Sequence, residues 1–181
     1  MGHELENTIA LLERTPAALD ALLRGLPEAW TESNEGGNTW NVSTVIAHLI
    51  HCEDEDWMPR ARHILHAGES EPFAPLDREG HVRFGRGKTL AQLLDEFARA
   101  RTKSLDELRA LKLTQQDLGR RGRHPALGSV TLSELLATWA AHDLTHLHQI
   151  SRIMAHQVRE AVGPWARFLG VMQCAGHSEA A

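Results

Sequence analysis

The sequence of 181 residues contains no tyrosine and only two cysteines, Cys52 and Cys174. Two cysteines are too few for the disulfide framework that stabilises small secreted domains. We therefore expect reduced thiols and a cytoplasmic protein. A chain of this length buries a hydrophobic core large enough to fold without such cross-links, so we expect one domain.

Long apolar runs and an excess of positive charge are also absent. No apolar run of about 18 residues occurs, so no transmembrane helix is expected. The N-terminal segment MGHELENTIA has neither the basic nor the apolar region of a secretory signal. The formal net charge is −5, whereas nucleic-acid binding needs a basic face for phosphate. Nucleic acid and membranes are therefore not predicted as partners.

Helical periodicity dominates the sequence instead. Apolar residues recur at three- and four-residue spacing in four stretches. Pro16 predicts that the first stretch is two short helices or one bent helix, and Pro59 is expected to interrupt the second stretch. Thr131 and Glu134 have the spacing of a capping box at the start of the last helix. No strand pattern competes. The predicted stretches cover residues 5–23, 42–67, 89–112 and 131–160.

Two long connections separate the later helices. Residues 69–88 and residues 114–130 contain several glycines and prolines, and connections of this length in a compact domain are often functional. Long crossovers also permit neighbouring helices to run parallel. We therefore predict an all-α fold, a four-helix bundle with long crossover loops between helices 2 and 3 and between helices 3 and 4. The bundle is expected to form a single domain over residues 1–174, with a frayed tail over residues 175–181.

Histidine is abundant, with twelve in the chain, and three lie in the stretch HDLTHLHQI. Successive residues turn about 100° around a helix, so His142 and His146 project from one face while His148 projects from another. Two imidazoles one turn apart suit a shared divalent ion. A third ligand should come from a facing helix, where His48 lies within an apolar run and is expected to point inward. The alternative interpretation is that the HxxxH pair occurs by chance and binds nothing.

Neighbouring residues allow two interpretations each. Cys52 is either a thiolate beside the metal or inert packing, and packing is favoured. Asp143 and the acidic run that begins at Glu53 are interpreted as exposed. Trp40 either lines a pocket or staples the start of its helix, and the staple is preferred. Arginines in the second long connection either bind a carboxylate or lie in a solvated loop, and the loop is preferred. These arginines are Arg120, Arg121 and Arg123.

The sequence resembles the DinB/YfiT-like superfamily of metal-binding helical bundles over nearly the whole chain. The resemblance rests on TWNVSTVIAHLIHCE (39–53), WAAHDLTHLHQI (139–150) and GRHPALGSVTLSELL (122–136), together with TPAALDALL near the start.

The resemblance implies a set of ligands and partners. It implies metal ligands at His48, His142 and His146, whereas His51 is not at a matching position. His148 stands where many members have a small residue, often glycine. The resemblance further implies a four-helix bundle with parallel middle helices, a homodimer, and a bound ion that is variously zinc, nickel or manganese.

The same resemblance also implies candidate functions. Some relatives are transferases that join bacillithiol or a similar low-molecular-weight thiol to an electrophile, or isomerases that use mycothiol, and others were proposed as metal-dependent hydrolases. Hydrolysis needs a general base, and the HDLTH helix lacks the glutamate of an HExxH metalloprotease. We therefore predict a metal-dependent thiol S-transferase with a small-molecule substrate. The alternatives are a metal-dependent hydrolase and a non-catalytic metal- or ligand-binding stress-response module.

Overall fold

Helices make up most of the computed structural model, which describes residues 5–174. In chain order the elements are α1 (Leu5–Leu12), α2 (Thr15–Leu23), α3 (Glu28–Thr31), α4 (Val42–Cys52), a π-helix (Glu53–Trp57), α5 (Met58–His66), α6 (Gly80–Gly85), α7 (Leu90–Ala110), α8 (Gln115–Leu118), β1 (Arg121–His124), β2 (Gly128–Thr131), α9 (Leu132–Gln157), α10 (Arg159–Val162), a 3-10 helix (Gly163–Phe168) and α11 (Gly170–Gln173).

The predicted four-helix bundle is confirmed. Its four members are α1 with α2, α4 with the π-helix and α5, α7, and α9. Their apolar faces form two clusters of buried side chains. One is centred on Trp139 and includes Trp57, and the other joins α4, α7 and α9 through Ile46, Phe97 and Ile150. Each large side chain that is fully buried in this way contributes about 1.5–3 kcal/mol to folding.

Side-chain caps fix where the long helices begin. The Thr131 hydroxyl accepts from the Glu134 backbone N–H at 3.1 Å, and Glu134 Oε2 accepts from the Thr131 N–H at 2.7 Å. This reciprocal pair is the capping box predicted from the sequence. Asn41 caps α4 by accepting from the Thr44 N–H at 2.8 Å. These caps satisfy backbone donors that the first helical turn cannot pair internally.

The second helical stretch continues past Pro59, but part of it is a π-helix instead of an α-helix. The π-helix lies directly before the turn that contains Pro59, and α5 resumes at Met58. Proline lacks a backbone N–H, so it is tolerated in the first turn of a helix but not in its interior. The π-helix buries Glu53, Asp56 and Trp57, and short π segments inside helices occur frequently at functional sites.

A short β-hairpin lies in the second long connection, so the expectation that no strands form is wrong at this point. Strands β1 and β2 pair antiparallel, with Gly122 opposite Val130. Their sequences, RGRH and GSVT, lack the apolar alternation that identifies a half-buried strand. The pairing depends instead on the turn, where Gly128 has a φ of +77° that glycine adopts readily, and on packing of Gly122 against Ile64 and Phe73.

The first long connection also contains regular structure. Its helix α6 packs along α4, so this segment is part of the bundle surface and not an irregular loop throughout. No helix among residues 5–174 is long and apolar enough to cross a membrane. The predicted tail over residues 175–181 lies outside the described residues.

Candidate metal centre

The three histidines predicted as ligands converge in the structure. His48 comes from α4, and His142 and His146 come from one face of α9. The Nε2 atom of His142 lies 3.1 Å from Nε2 of His48 and 3.1 Å from Nε2 of His146. One nitrogen from each ring lies within 4.8 Å of the others. Two nitrogens bound to a tetrahedral Zn²⁺ at about 2.0–2.1 Å lie roughly 3.3 Å apart, so the spacing fits a shared ion.

Burial keeps these imidazoles neutral. Loss of hydration is the main cause and the neighbouring histidines contribute; together they lower the pKa of His48 to about 3 and that of His142 to about 2. Burial also lowers the pKa of His146. A neutral imidazole has one ring nitrogen with a free lone pair, which is the form that binds a metal.

Gln149 selects which nitrogen of His146 carries that lone pair. The Nδ1–H of His146 donates to Gln149 Oε1 at 2.7 Å. In the neutral ring the lone pair is then at Nε2, the atom that faces the other two histidines. A hydrogen bond to the nitrogen opposite the metal is the usual way in which proteins orient a histidine ligand.

Tryptophan rings enclose the cluster on two sides. The ring of Trp57 meets His142 edge-on, with centroids 5.0 Å apart. The ring of Trp40 lies 5.0 Å from the His48 ring and 6.5 Å from the His146 ring. These contacts support the alternative interpretation of Trp40, that it lines the site, because its indole forms a wall of the cluster. Neither indole competes for an ion, since the indole nitrogen is a donor only.

A buried ionic network includes Asp143, the residue that follows His142 in α9. Arg101 from α7 donates two hydrogen bonds to Asp143, of 2.6 and 2.8 Å, and two to Glu53 Oε1, of 3.0 and 2.8 Å. Its fifth hydrogen bond reaches the Leu12 carbonyl at 2.8 Å, and the Trp139 indole N–H donates to Glu53 Oε1 at 2.9 Å. The network thus connects all four members of the bundle.

The expectation that Asp143 and Glu53 are exposed is wrong. Asp143 is 1% exposed and Glu53 is 3% exposed. Both carboxylates are buried because they pair with Arg101. Arg101 lies on a different helix, so the sequence around each carboxylate does not reveal this partner. Asp56, from the same acidic run, is also buried and pairs with Arg60 at 2.7 Å.

Cys52 packs in the hydrophobic core, as preferred from the sequence. Its side chain is buried, and burial raises the pKa of the thiol. The Sγ atom lies 3.5 Å from His48 Nε2. A buried, protonated thiol is a poor nucleophile and a weak ligand, which agrees with the interpretation of Cys52 as inert.

The sequence matches the DinB superfamily over residues 11–150. The chain belongs to the DinB superfamily. Among solved structures, its fold is similar to that of YfiT from Bacillus subtilis, with a TM-score of 0.70, 20% sequence identity and 87% of each chain covered. That protein is described as a probable metal-dependent hydrolase with an unusual four-helix bundle topology. No curated protein matches the sequence.

A fourth histidine, His81, lies beside the cluster. It was not identified from the sequence. It lies on α6, with its ring 4.7 Å from the Trp40 ring and 6.3 Å from the His48 ring. Its Nδ1–H donates to the Arg78 carbonyl at 3.0 Å, and burial lowers its pKa. The sequence indicated it only through the unusual length of the connection in which it lies. His81 and His48 are far apart in the chain, so no local pattern predicts their contact.

His51 anchors α6 and does not join the cluster. It is buried, and its Nε2–H donates to the Asp77 carbonyl at 2.8 Å. Gly80 lies so close to the ring that an added Cβ would come within 2.2 Å of His51 Cε1. The absence of a side chain at Gly80 therefore allows α6 to approach α4.

A cavity of about 940 Å³ lies between α4 and α6, and neither the three clustered histidines nor Trp40 and Trp57 line it. It is bordered by the turn after α2, by α3, α4 and α6, and by the start of α7, and its wall includes Ala47, His81, Arg86 and Lys88. Its volume is in the range of small-molecule sites. The arginines of the second long connection do not line it. They are exposed, as preferred from the sequence, and Arg121 donates to Ser129 Oγ.

Proposed function

We propose that His48, His142 and His146 hold one divalent metal ion. The observation that carries the proposal is the convergence of three neutral imidazoles, with Nε2 of His142 3.1 Å from Nε2 of His48 and 3.1 Å from Nε2 of His146. The Gln149 hydrogen bond, which directs the lone pair of His146 inward, supports it. Zinc, nickel and manganese all accept imidazole nitrogen, and zinc and nickel suit it better than manganese. When bound by three histidines, such an ion has open positions and lowers the pKa of a water or thiol that occupies one.

Thiol transfer is the reaction that this donor set favours. A hydrolase needs a base beside the attacking water, and within residues 5–174 no carboxylate joins the histidine cluster. The buried carboxylates of Asp143 and Glu53 accept hydrogen bonds from Arg101, through both oxygens of Asp143 and through Oε1 of Glu53. A low-molecular-weight thiol needs less help, because its pKa is far below that of water.

The proposed reaction joins that thiol to a small electrophile. A new sulfur–carbon bond forms and the bond from that carbon to the leaving group breaks. The leaving group departs with the electron pair, and the thiol proton passes to it or to solvent. The chain's own residues would hold the ion, and Trp40 and Trp57 flank it on two sides.

Metal-dependent hydrolysis is the second candidate. The observation in its favour is the similarity of the fold to YfiT, which is described as a probable metal-dependent hydrolase. The two reactions differ in whether an added thiol is required. Conversion of an ester or amide without a thiol identifies a hydrolase, and conversion only with a thiol identifies a transferase.

Metal content tests the first step of the proposal. The protein is purified without nickel chromatography, loaded with Zn²⁺, Ni²⁺ or Mn²⁺, desalted and measured by elemental analysis. We expect about one ion per chain for the wild type and a large loss for His146→Ala. The matched control is His148→Ala, which removes an exposed histidine two residues away on the same helix. A wild type without stoichiometric metal under every loading condition would refute both enzymatic functions.

Product analysis tests the second step. The loaded protein is incubated with a generic electrophile and bacillithiol, mycothiol or glutathione in turn. We expect conjugation with at least one thiol that stops in the His146→Ala variant. Metal binding without conjugation or hydrolysis would favour the non-catalytic binding module. The homodimer implied by the family resemblance is also a proposal, and light scattering of the purified chain tests it.

A further inference from the structure

The cavity of about 940 Å³ is separate from the metal centre, because none of the three clustered histidines lines it. Five elements surround it: the turn after α2, α3, α4, α6 and the start of α7. Its volume is in the range of small-molecule sites, and the metal chemistry proposed above does not use it. The cavity is therefore a candidate for a second binding site.

A buried hydroxyl in the cavity wall has no partner among the described residues. Thr31 lines the cavity from α3 and is 3% exposed. No residue between 5 and 174 forms a hydrogen bond with its side chain, and its oxygen is not sealed inside the core. A buried polar group without a partner is costly, and a ligand in the cavity can supply the missing hydrogen bond.

The α3 side of the cavity favours a cation. Glu28 lies one helical turn before Thr31, so both project from the same face of α3, and both line the cavity. The Glu28 carboxylate forms no ion pair with any described residue. Glu32 also lines the cavity, but Asn41 Nδ2 and Ser43 Oγ donate to its carboxylate at 3.1 and 2.6 Å. An ammonium group at this side therefore meets two acceptors, the Glu28 carboxylate and the Thr31 hydroxyl.

The α7 side of the cavity favours an anion. Leu90 and Ala91 line the cavity as the first two residues of this helix. Among residues 5–174 their backbone N–H groups have no acceptor, and the first turn contains no acidic residue. Arg86 also lines the cavity and forms no ion pair with a described residue. A helix N-terminus and a free guanidinium both stabilise a carboxylate. Two further cations of the lining pair with carboxylates outside it, and these are Arg24 and Lys88.

Apolar side chains form the inner wall of the cavity. Leu23, Ala47 and Leu93 line it and are at most 1% exposed. Val82, which lines it from α6, is 50% exposed. Contact with an apolar ligand removes this exposed surface from water, which favours binding.

We propose that this cavity binds a small zwitterion of the amino-acid type, with an apolar body between an amine and a carboxylate. The amine donates to Glu28 and Thr31. The carboxylate binds at the first turn of α7 with Arg86 as its counter-ion, and the apolar body packs against Leu23 and Leu93. This site does not depend on the metal ion, because none of its groups belongs to the histidine cluster.

Three probes with the same six-carbon chain separate the two charged ends. 6-Aminohexanoate carries both ends, hexanoate lacks the amine, and hexylammonium lacks the carboxylate. Binding to the zinc-loaded protein is measured by calorimetric titration. The titration is repeated after EDTA treatment, because a carboxylate bound to the ion would be lost with it.

Three variants remove one group each from the cavity wall and keep its size: Arg86→Gln, Glu28→Gln and Thr31→Val. The control is Arg99→Gln, since Arg99 is exposed on α7 and does not line the cavity. Thermal melts verify that each variant folds. Thr31→Val should not lower the melting temperature, because a hydroxyl without a partner does not stabilise the folded chain.

We expect 6-aminohexanoate to bind about 3- to 10-fold more tightly than either single-ended probe, the size of one hydrogen bond. Arg86→Gln should weaken 6-aminohexanoate and hexanoate by a similar factor but leave hexylammonium unchanged. Glu28→Gln and Thr31→Val should weaken 6-aminohexanoate and hexylammonium but leave hexanoate unchanged. The control should bind all three probes as the wild type does.

Several outcomes would overturn the second site. They are equal affinities for the three probes, no binding of any probe at millimolar concentration, and affinities that are unchanged in all three cavity variants. Binding that disappears with EDTA would place the ligand on the ion and overturn the site as well. A chain that binds 6-aminohexanoate as expected but takes up no stoichiometric metal would refute only the proposed function.

Discussion

Removal of the Arg101 guanidinium should destabilise the protein more than any surface substitution on the same helix. Arg101→Met keeps a long side chain in the space between α7 and α9 but deletes five hydrogen bonds to Asp143, Glu53 and the Leu12 carbonyl. Two carboxylates then remain buried without a countercharge. The expected loss is about 3–5 kcal/mol, the range found when one partner of a buried ion pair is deleted. Total stability of a domain is about 5–15 kcal/mol.

Urea unfolding in the presence of EDTA measures this loss without a contribution from bound metal. Arg109→Met is the matched control, because Arg109 lies on α7 as well but forms its ion pair with Glu13 at the surface. That pair should contribute about 0.2–1 kcal/mol. A loss below about 1 kcal/mol for Arg101→Met, with an unchanged urea slope, would refute the view that the network supports the bundle.

A triple variant separates the cost of the unpaired buried charges from the cost of the lost hydrogen bonds. Adding Glu53→Gln and Asp143→Asn to Arg101→Met removes the unpaired charges while it keeps the shape of both side chains. Most of the lost stability should return, because an isolated buried charge costs more than a missing ion pair. If the triple variant is no more stable than Arg101→Met, the lost contacts dominate and the charge argument fails.

Three further predictions concern the site. Gln149→Leu should weaken Zn²⁺ affinity by about 10- to 100-fold in a competitive chelator titration, because the ligand imidazole loses the acceptor that orients it; unchanged affinity would refute this. Gly80→Ala should lower stability in urea by about 1–3 kcal/mol through overpacking, whereas Gly85→Ala, whose Cβ would meet only a methyl group at 3.4 Å, should be tolerated. In the metal-free protein, burial depresses the pKa values of His48 and His142 to about 3 and about 2. The unfolded chain therefore binds more protons below about pH 6.5, and stability should fall by on the order of 1 kcal/mol per pH unit and per group from pH 6.5 towards pH 4; a flat profile would contradict it.

Local periodicity predicted the parts of the fold that depend on one helix at a time. The phase of α9 separated His142 and His146 from His148, and the structure brings the first two to His48 and leaves His148 exposed. The capping box at Thr131 was equally visible, because both of its residues lie within one turn.

Contacts between distant segments were missed for a physical reason. Asp143 and Glu53 are charged, a residue type that is normally exposed, and their burial depends on Arg101, which is 42 and 48 positions away. His81 was missed in the same way, since its contact with His48 depends on how α6 packs on α4. Asp143 and Arg101 do lie on the buried faces of their helices by phase, but each partner stands on another helix and gives no local signal that the charge is paired.

The buried network and the neutral histidines together favour a cation at the site. Arg101 contributes one positive charge and Asp143 and Glu53 contribute up to two negative charges, so the network has at most one formal negative charge in excess, because burial raises the pKa of Glu53. The histidines in front of it add none, because burial keeps them unprotonated. A protonated histidine would also offset that excess, yet loss of hydration prevents it at neutral pH. A divalent ion satisfies both conditions, since it binds the neutral lone pairs and lies near the uncompensated carboxylate charge. The burial of Arg101 has the same origin, since without it both carboxyl groups would lie in the core without a countercharge.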